Sequence, residues 1–172
     1  VYGGTFENNS ASGNGGAISV GQDAVVDIKE YNGSPTYFLA NSSASFGGAL
    51  DIETSNSKKD NKINNAIFKG NHSNYGGAVE VYGNLKKSTT KAYFNSCIFG
   101  GSEDGDANYA SHATNEAHGG VMFVEDDTYV NIGLSTFEGN HSDNQGGAIC
   151  VKGWGMLQLF RDSFVGNYAY TG

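Results

Sequence analysis

Two sets of acidic and polar residues have the types and spacing that could support chemistry. In the first set, Asp104, Asp106 and Asn108 alternate as D-x-D-x-N, with Glu103 beside them and Gly105 available for a bend. Oxygen-bearing side chains at alternate positions resemble the opening of a calcium-binding loop, although the downstream glutamate of such loops is not at the required spacing. These three residues are a candidate calcium loop, but we favour a solvated acidic loop, and we expect no cofactor to be required.

The second set is a pair of carboxyl groups, Asp51 and Glu80. They occupy equivalent positions in two copies of a repeated segment, so stacking of the copies would bring them about 5 Å apart, a separation that suits a retaining glycosidase. The alternative is that both are surface carboxylates in water. We favour this alternative and predict no enzyme activity, because no second cluster of acids, bases or sugar-positioning aromatic residues accompanies the pair.

The overall charge restricts the partners that the chain can bind. Eighteen Asp and Glu residues outnumber ten Lys and Arg residues, for a formal net charge of −8. An acidic surface repels nucleic acid, anionic membranes and acidic polysaccharides, and a single Arg161 offers little to a uronate substrate. No apolar run exceeds four residues, so we also expect no membrane insertion by this segment.

The elements that position these residues belong to an internal repeat with two motifs. Glycine supplies 26 of the 172 residues, which argues against helices, while ten Phe and ten Tyr argue against disorder. The F-x-x-N motif places Phe and Asn together at Phe6 and Asn9, Phe38 and Asn41, Phe68 and Asn71, Phe137 and Asn140, and Phe164 and Asn167, with a degenerate copy at Phe99 where Ser102 replaces the Asn. The G-G-A-apolar-x-apolar motif begins at Gly15, Gly47, Gly76, Gly119 and Gly146.

The two motifs together predict a solenoid. Within each G-G-A segment, apolar residues alternate with others at a period of two, which is typical of a half-buried strand. A chain that returns to the same register after each circuit stacks like residues on like residues and forms a parallel β-helix. We predict an all-β, right-handed parallel β-helix of about five to six coils over residues 1–172, an uncapped segment of a longer array, with the Phe as an internal ladder and the Asn as a ladder at a corner.

The fourth repeat is expected to carry a loop insertion within residues 100–118. Its step from Phe to the Gly pair is 20 residues, whereas the other repeats need 8 or 9, which indicates about 11 extra residues. In the strand that follows, Phe123 interrupts an otherwise polar outward column beside Cys150. These two residues are a candidate apolar contact site, but we favour the interpretation that the inserted loop covers Phe123. Cys97 should point inward, so we expect no disulfide with Cys150.

Asn32 is the predicted acceptor for N-linked glycan. The N-x-S/T sequons begin at Asn8, Asn32, Asn41, Asn71 and Asn140. The last three are ladder residues and would be unsuited to carry a glycan once the chain has folded. Asn32 instead lies in the YNGSP insertion of the second repeat.

The ordered pair of motifs resembles the repeats of the chlamydial polymorphic outer membrane proteins and related right-handed β-helix surface proteins. The resemblance covers almost the whole chain. It implies an autotransporter passenger that acts in adhesion and lies outside the cell or on its outer surface. Its expected partners are a protein or glycan at a cell surface, copies of itself, and flanking coils of the same parent chain.

Three functions therefore stay open at the level of sequence. We favour a non-catalytic, adhesin-like passenger that displays binding loops such as residues 100–118. The alternative is a structural subunit or sheath of an extracellular filament or surface scaffold. A polysaccharide-active β-helix enzyme is the least favoured, and a groove lined by aromatic residues and paired carboxylates would revive it.

Overall fold

The chain folds as a parallel β-helix built from four sheets. The computed structural model describes residues 1–21, 24–53, 60–83, 89–114 and 116–171, and no helix occurs in these ranges. Neighbouring strands within every sheet are parallel and come from successive coils. Two sheets have six strands and two have five, which confirms the predicted number of coils.

Each coil contributes up to four strands, one to each sheet. The Phe sheet holds the Phe of the F-x-x-N motif and consists of β1 Gly4–Glu7, β5 Thr36–Leu39, β9 Ala66–Lys69, β13 Ile98–Gly100, β17 Thr136–Glu138 and β21 Ser163–Val165. The short sheet consists of β2 Ser10–Ala11, β6 Ser42–Ser43, β10 His72–Ser73, β14 Tyr109–Ala110, β18 His141–Ser142 and β22 Tyr168–Ala169. The Gly-Gly sheet consists of β3 Ile18–Val20, β7 Leu50–Glu53, β11 Val79–Tyr82, β15 Met122–Glu125 and β19 Ile149–Val151. The return sheet consists of β4 Asp27–Ile28, β8 Asn61–Asn64, β12 Thr90–Asn95, β16 Thr128–Gly133 and β20 Met156–Phe160.

The short sheet is the element that the sequence did not reveal. The repeat pattern indicates two or three strands per coil, whereas the structure has four. The strands of the short sheet are two residues long, which is too short for an alternating apolar pattern to register.

The core is a narrow column of like side chains stacked on like side chains. The six Phe rings of the Phe sheet stack with centroids 4.6–5.0 Å apart. Aliphatic side chains of the Gly-Gly and return sheets, such as Leu50, Ile52 and Ile63, are fully buried beside them. Burial of this apolar area, at about 25 cal/mol per Å², is the main stabilising contribution.

The two glycines of each Gly pair meet different requirements. The first glycine has a positive φ of 58–69° in all five copies, a left-handed conformation that glycine adopts without steric cost. The second lies against the backbone of the next coil, and a Cβ at Gly48 would sit 2.0 Å from the carbonyl oxygen of Gly77. The motif therefore needs glycine at both positions.

Candidate functional site

Asn108 lies in the Asn ladder and not in a metal site. Its Oδ1 accepts hydrogen bonds from the Asn71 backbone N–H at 3.1 Å and from Asn71 Nδ2 at 2.8 Å. Its Nδ2 donates to the Phe68 carbonyl oxygen at 2.8 Å and to Asn140 Oδ1 at 3.0 Å. The residue is fully buried. The prediction that Asn108 is a calcium ligand is therefore wrong, since both ends of its amide are occupied within the ladder.

The insertion of the fourth repeat is split into two loops around Asn108. Asn108 follows Phe99 by nine positions, whereas Asn follows Phe by three positions in the regular repeats, so six extra residues precede the ladder position. Gly119 then follows Asn108 by eleven positions, compared with five or six in the other repeats. The fourth repeat has thus kept its ladder Asn, and Ser102 does not replace it.

The first of these loops packs back onto the neighbouring coil. Asp106 Oδ2 lies 2.6 Å from Lys69 Nζ, and the Asp106 carbonyl oxygen accepts a hydrogen bond from the Gly70 N–H. Asp104 is exposed. Within the described ranges, no group of three or more His, Cys, Asp or Glu side chains could hold a metal ion. These contacts do not test calcium binding at Asp104 and Asp106 without Asn108.

The outer face of the Gly-Gly sheet carries the main candidate site. Its central column, in register across five coils, consists of Ser19, Asp51, Glu80, Phe123 and Cys150. Asp51 is only 2% exposed and Glu80 3%, although both side chains point away from the core. The interpretation of the pair as surface carboxylates in water is therefore wrong.

Three side-chain rings lie along one side of this column. We call Phe46, Tyr75 and His118 the aromatic rim; each directly precedes a Gly pair, and the three are linked by parallel bridges between coils. The Phe46 and Tyr75 rings stack at 5.0 Å. Sequence reasoning missed the rim, although a ring-bearing residue precedes the Gly pair in three of the five copies, with Asn14 and Gln145 at this position in the other two.

Phe123 lies under the aromatic rim and is not an exposed contact. Its ring centroid is 5.6 Å from that of Tyr75 and 5.6 Å from that of His118, and it is 2% exposed. Cys150 is 8% exposed. The predicted apolar contact site at Phe123 and Cys150 is therefore wrong. His118, at the end of the inserted segment, supplies part of the cover that the favoured interpretation predicts.

Asp51 and Glu80 share a proton. Burial and the adjacent charge of Asp51 raise the pKa of Glu80 to about 10, so Glu80 is protonated at neutral pH. Burial also raises the pKa of Asp51, but hydrogen bonds from Ser19 and Glu80 oppose this shift. Ser19 Oγ donates to Asp51 Oδ2 at 2.7 Å. Asp51 Oδ1 is buried and has no partner among the described residues apart from the proton that Glu80 can share.

A cavity of about 320 Å³ opens above this carboxyl pair. Phe46 forms one wall, and Glu53, Tyr82 and Glu125 line the opposite side. A second cavity of about 300 Å³ adjoins it, because Phe46 and Glu125 line both, and it extends to His118 and Lys152. The two cavities form a groove along the outer face of the Gly-Gly sheet.

The geometry of the pair does not suit glycoside hydrolysis. Retaining glycosidases hold their two carboxyl groups about 5–5.5 Å apart, and inverting enzymes hold them about 6.5–9.5 Å apart. Asp51 and Glu80 are hydrogen-bonded to each other, so their carboxyl groups lie closer together than in either class of glycosidase. The arrangement is better suited to binding a polar group than to cleaving a glycosidic bond.

The other residues singled out in the sequence lie apart from the groove. His72 and His141 are separated by a coil whose Tyr109 ring stacks between them at 4.2 and 5.4 Å, so the two histidines are too far apart to share a metal. Asn32 is exposed, with φ of 50°, in a tight turn closed by hydrogen bonds between Tyr31 and Ser34. Cys97 is buried and Cys150 is on the opposite face of the wall, and both are free thiols, as predicted.

Two segments of the chain match a repeat of a known surface-protein family. Residues 3–21 and 135–152 match the Chlamydia polymorphic membrane protein repeat, and each match contains one F-x-x-N motif followed by one Gly pair. These two matches confirm the resemblance to the chlamydial repeats, which are those of an outer-membrane and surface protein family. No curated protein and no solved structure matches the chain. In the part of the chain that the structure describes, no helix is long and apolar enough to cross a membrane.

Proposed function

We propose that the chain is a non-catalytic, adhesin-like module of a protein on the outer cell surface or outside the cell. Its role is to hold a ligand-binding groove on a rigid β-helix. The observation that carries the proposal is the buried Asp51–Glu80 pair, which lies in an open cavity beneath an aromatic rim. The match of two segments to the chlamydial repeat supports the location at the surface.

The stacked ladders suit such a role because they keep the groove in one shape. Asn41, Asn71, Asn108 and Asn140 are each fully buried and hydrogen-bonded to the neighbouring coils. Side chains that are fixed by a rigid scaffold do not have to be ordered when a ligand binds, which lowers the entropic cost of binding.

A second candidate function is a structural subunit that contacts further coils, either of the same parent chain or of another copy. Such contacts would cover large apolar side chains of the last coil: Leu159 is 45% exposed, Phe160 56% and Phe164 44%. Light scattering over a range of chain concentrations tests this candidate, and growth of the particle mass with concentration supports it.

Antibody labelling of the native source cells tests the proposed location. Antibodies raised against the folded chain should label intact cells, and brief protease treatment of those cells should remove the label. An antibody against an internal protein of the same cells is the control for leakage. Labelling only after the cells are permeabilised would overturn the proposal.

A further inference from the structure

We propose that the cavity above Asp51 and Glu80 binds an uncharged sugar ring of a neutral glycan, with Phe46 as the surface on which the ring stacks. This inference rests on the proposed function as a surface ligand-binding module. It names the ligand class that the same groove would take.

Phe46 offers an open aromatic face at the edge of the cavity. On one side its ring stacks on Tyr75, at 5.0 Å. On the other side the equivalent position in the first coil is Asn14, an exposed residue, and no ring packs there among the residues that the structure describes. Asn14 and Phe46 both line the cavity. A flat apolar surface with an amide beside it suits a pyranose ring, which has an apolar face and a polar edge.

The carboxyl pair on the floor of the cavity needs a polar partner. Asp51 is 98% buried, and its Oδ1 has no partner other than the proton of Glu80. Among the residues that the structure describes, Ser19 donates to Asp51 Oδ2, and the two carboxyl groups share a hydrogen bond with each other. Buried polar atoms in native proteins are normally hydrogen-bonded, so the remaining acceptors favour a ligand that donates hydrogen bonds. A sugar hydroxyl both donates and accepts, and therefore fits a site with one proton and spare acceptor oxygens.

The charge of the cavity selects among sugars. Glu53 and Glu125 line it beside the carboxyl pair, and no Lys, Arg or His side chain lines this first cavity in the described ranges. A uronate, sialate or sulfate group would face these carboxyl groups without a compensating cation, which disfavours acidic glycans. The same carboxyl groups would attract an amine, so a cationic sugar is the competing ligand class that the test has to separate from a neutral one.

Affinity electrophoresis of the whole chain tests the inference. The chain is run in native gels that contain soluble galactomannan, xyloglucan or hydroxyethyl cellulose as neutral probes, polygalacturonate as the anionic probe, and glycol chitosan as the cationic probe. We expect retardation by at least one neutral polysaccharide and none by polygalacturonate. Phe46→Leu, which keeps an apolar side chain but loses the flat ring, should weaken the retardation by about tenfold, whereas Phe46→Tyr should retain it. Asp51→Asn should also weaken it.

Tyr37→Leu is the matched control, because Tyr37 is a half-buried aromatic residue of the same coil on the outer face of the Phe sheet. Its binding should equal that of the unchanged chain, and circular dichroism melting curves verify that every variant is folded. The inference is overturned by three results: no retardation in any neutral gel, retardation only in glycol chitosan, or equal losses in Phe46→Leu and Tyr37→Leu. None of them affects the labelling of intact cells, so failure of the ligand class and failure of the surface location are distinguishable.

Discussion

Asn108 Oδ1 accepts two hydrogen bonds from Asn71, one from its backbone N–H at 3.1 Å and one from its side-chain amide at 2.8 Å, across 37 residues of sequence. The same double contact repeats from Asn9 to Asn41, from Asn41 to Asn71 and from Asn140 to Asn167. Each ladder Asn therefore joins its own coil to the next through its side chain.

Asn108→Ala should destabilise the protein by about 2–4 kcal/mol, because it leaves the buried amide of Asn71 and the carbonyl of Phe68 without partners. Urea unfolding followed by circular dichroism measures the change. Asn95→Ala, at an exposed position of the return sheet, is the control and should cost much less. An equal loss of unfolding free energy in the two variants would show that the ladder hydrogen bonds stabilise the protein no more than an exposed side chain does.

Gly48→Ala should prevent folding or leave a greatly weakened protein. The added Cβ would lie 2.0 Å from the carbonyl oxygen of Gly77 and 2.6 Å from that of His72, which the stacked backbones cannot relieve. Gly13→Ala is the matched control, since its Cβ would meet no atom within 4 Å. Thermal melting curves give the melting temperatures of the two variants. A melting temperature of Gly48→Ala equal to that of the unchanged chain would contradict the close approach of the coils.

Glu80→Gln should stabilise the protein at alkaline pH. The pKa of Glu80 is raised from 4.5 to about 10 in the folded chain, so the unfolded state releases this proton at a lower pH than the folded state does. Stability is therefore lost as the pH rises above about 4.5, and the glutamine variant avoids that loss. We expect the variant to be more stable by on the order of 2 kcal/mol at pH 8, with a smaller difference at pH 5.

Urea unfolding at pH 5 and pH 8 measures this difference. Glu7→Gln, at an exposed position of β1, is the control and should keep the pH dependence of the unchanged chain. If Glu80→Gln also kept that dependence, the carboxyl pair would not share a proton.

The two cysteines should resist alkylation in the native protein. Burial raises the pKa of the Cys97 thiol to about 12 and also raises the pKa of Cys150, so little reactive thiolate is present at pH 8. Iodoacetamide should label neither residue before unfolding and both in urea, as counted by mass spectrometry. Failure to label the urea-unfolded chain without reductant would indicate a disulfide and contradict the structure.

Calcium should not stabilise the protein through the inserted loop. Asn108 is occupied in the ladder and Asp106 is paired with Lys69, which leaves Asp104 without the neighbours that a calcium loop requires. Melting temperatures with millimolar calcium and with a chelator should agree. A rise that Asp104→Asn abolishes would restore the calcium prediction.

The sequence by itself determined the repeat and therefore the fold. The F-x-x-N and Gly-pair motifs recur in order, and the only way for like residues to return to one register is to stack as coils, so the Phe column and the parallel strands were predictable. The register also determined which residues share an outward column, including Asp51 with Glu80.

Only the tertiary structure decided which residues of those columns are buried and which hydrogen bonds their polar atoms make. The sequence places Asp51, Glu80 and Phe123 at the surface, but all three are buried, and the rings of Tyr75 and His118 pack against Phe123. Asn108 was read with its neighbours Asp104 and Asp106, whereas its partners lie more than 30 residues away in the adjacent coils. Spacing along the chain specifies which positions stack, but burial, a shared proton and the completion of a ladder depend on side chains that only the coiled backbone brings together.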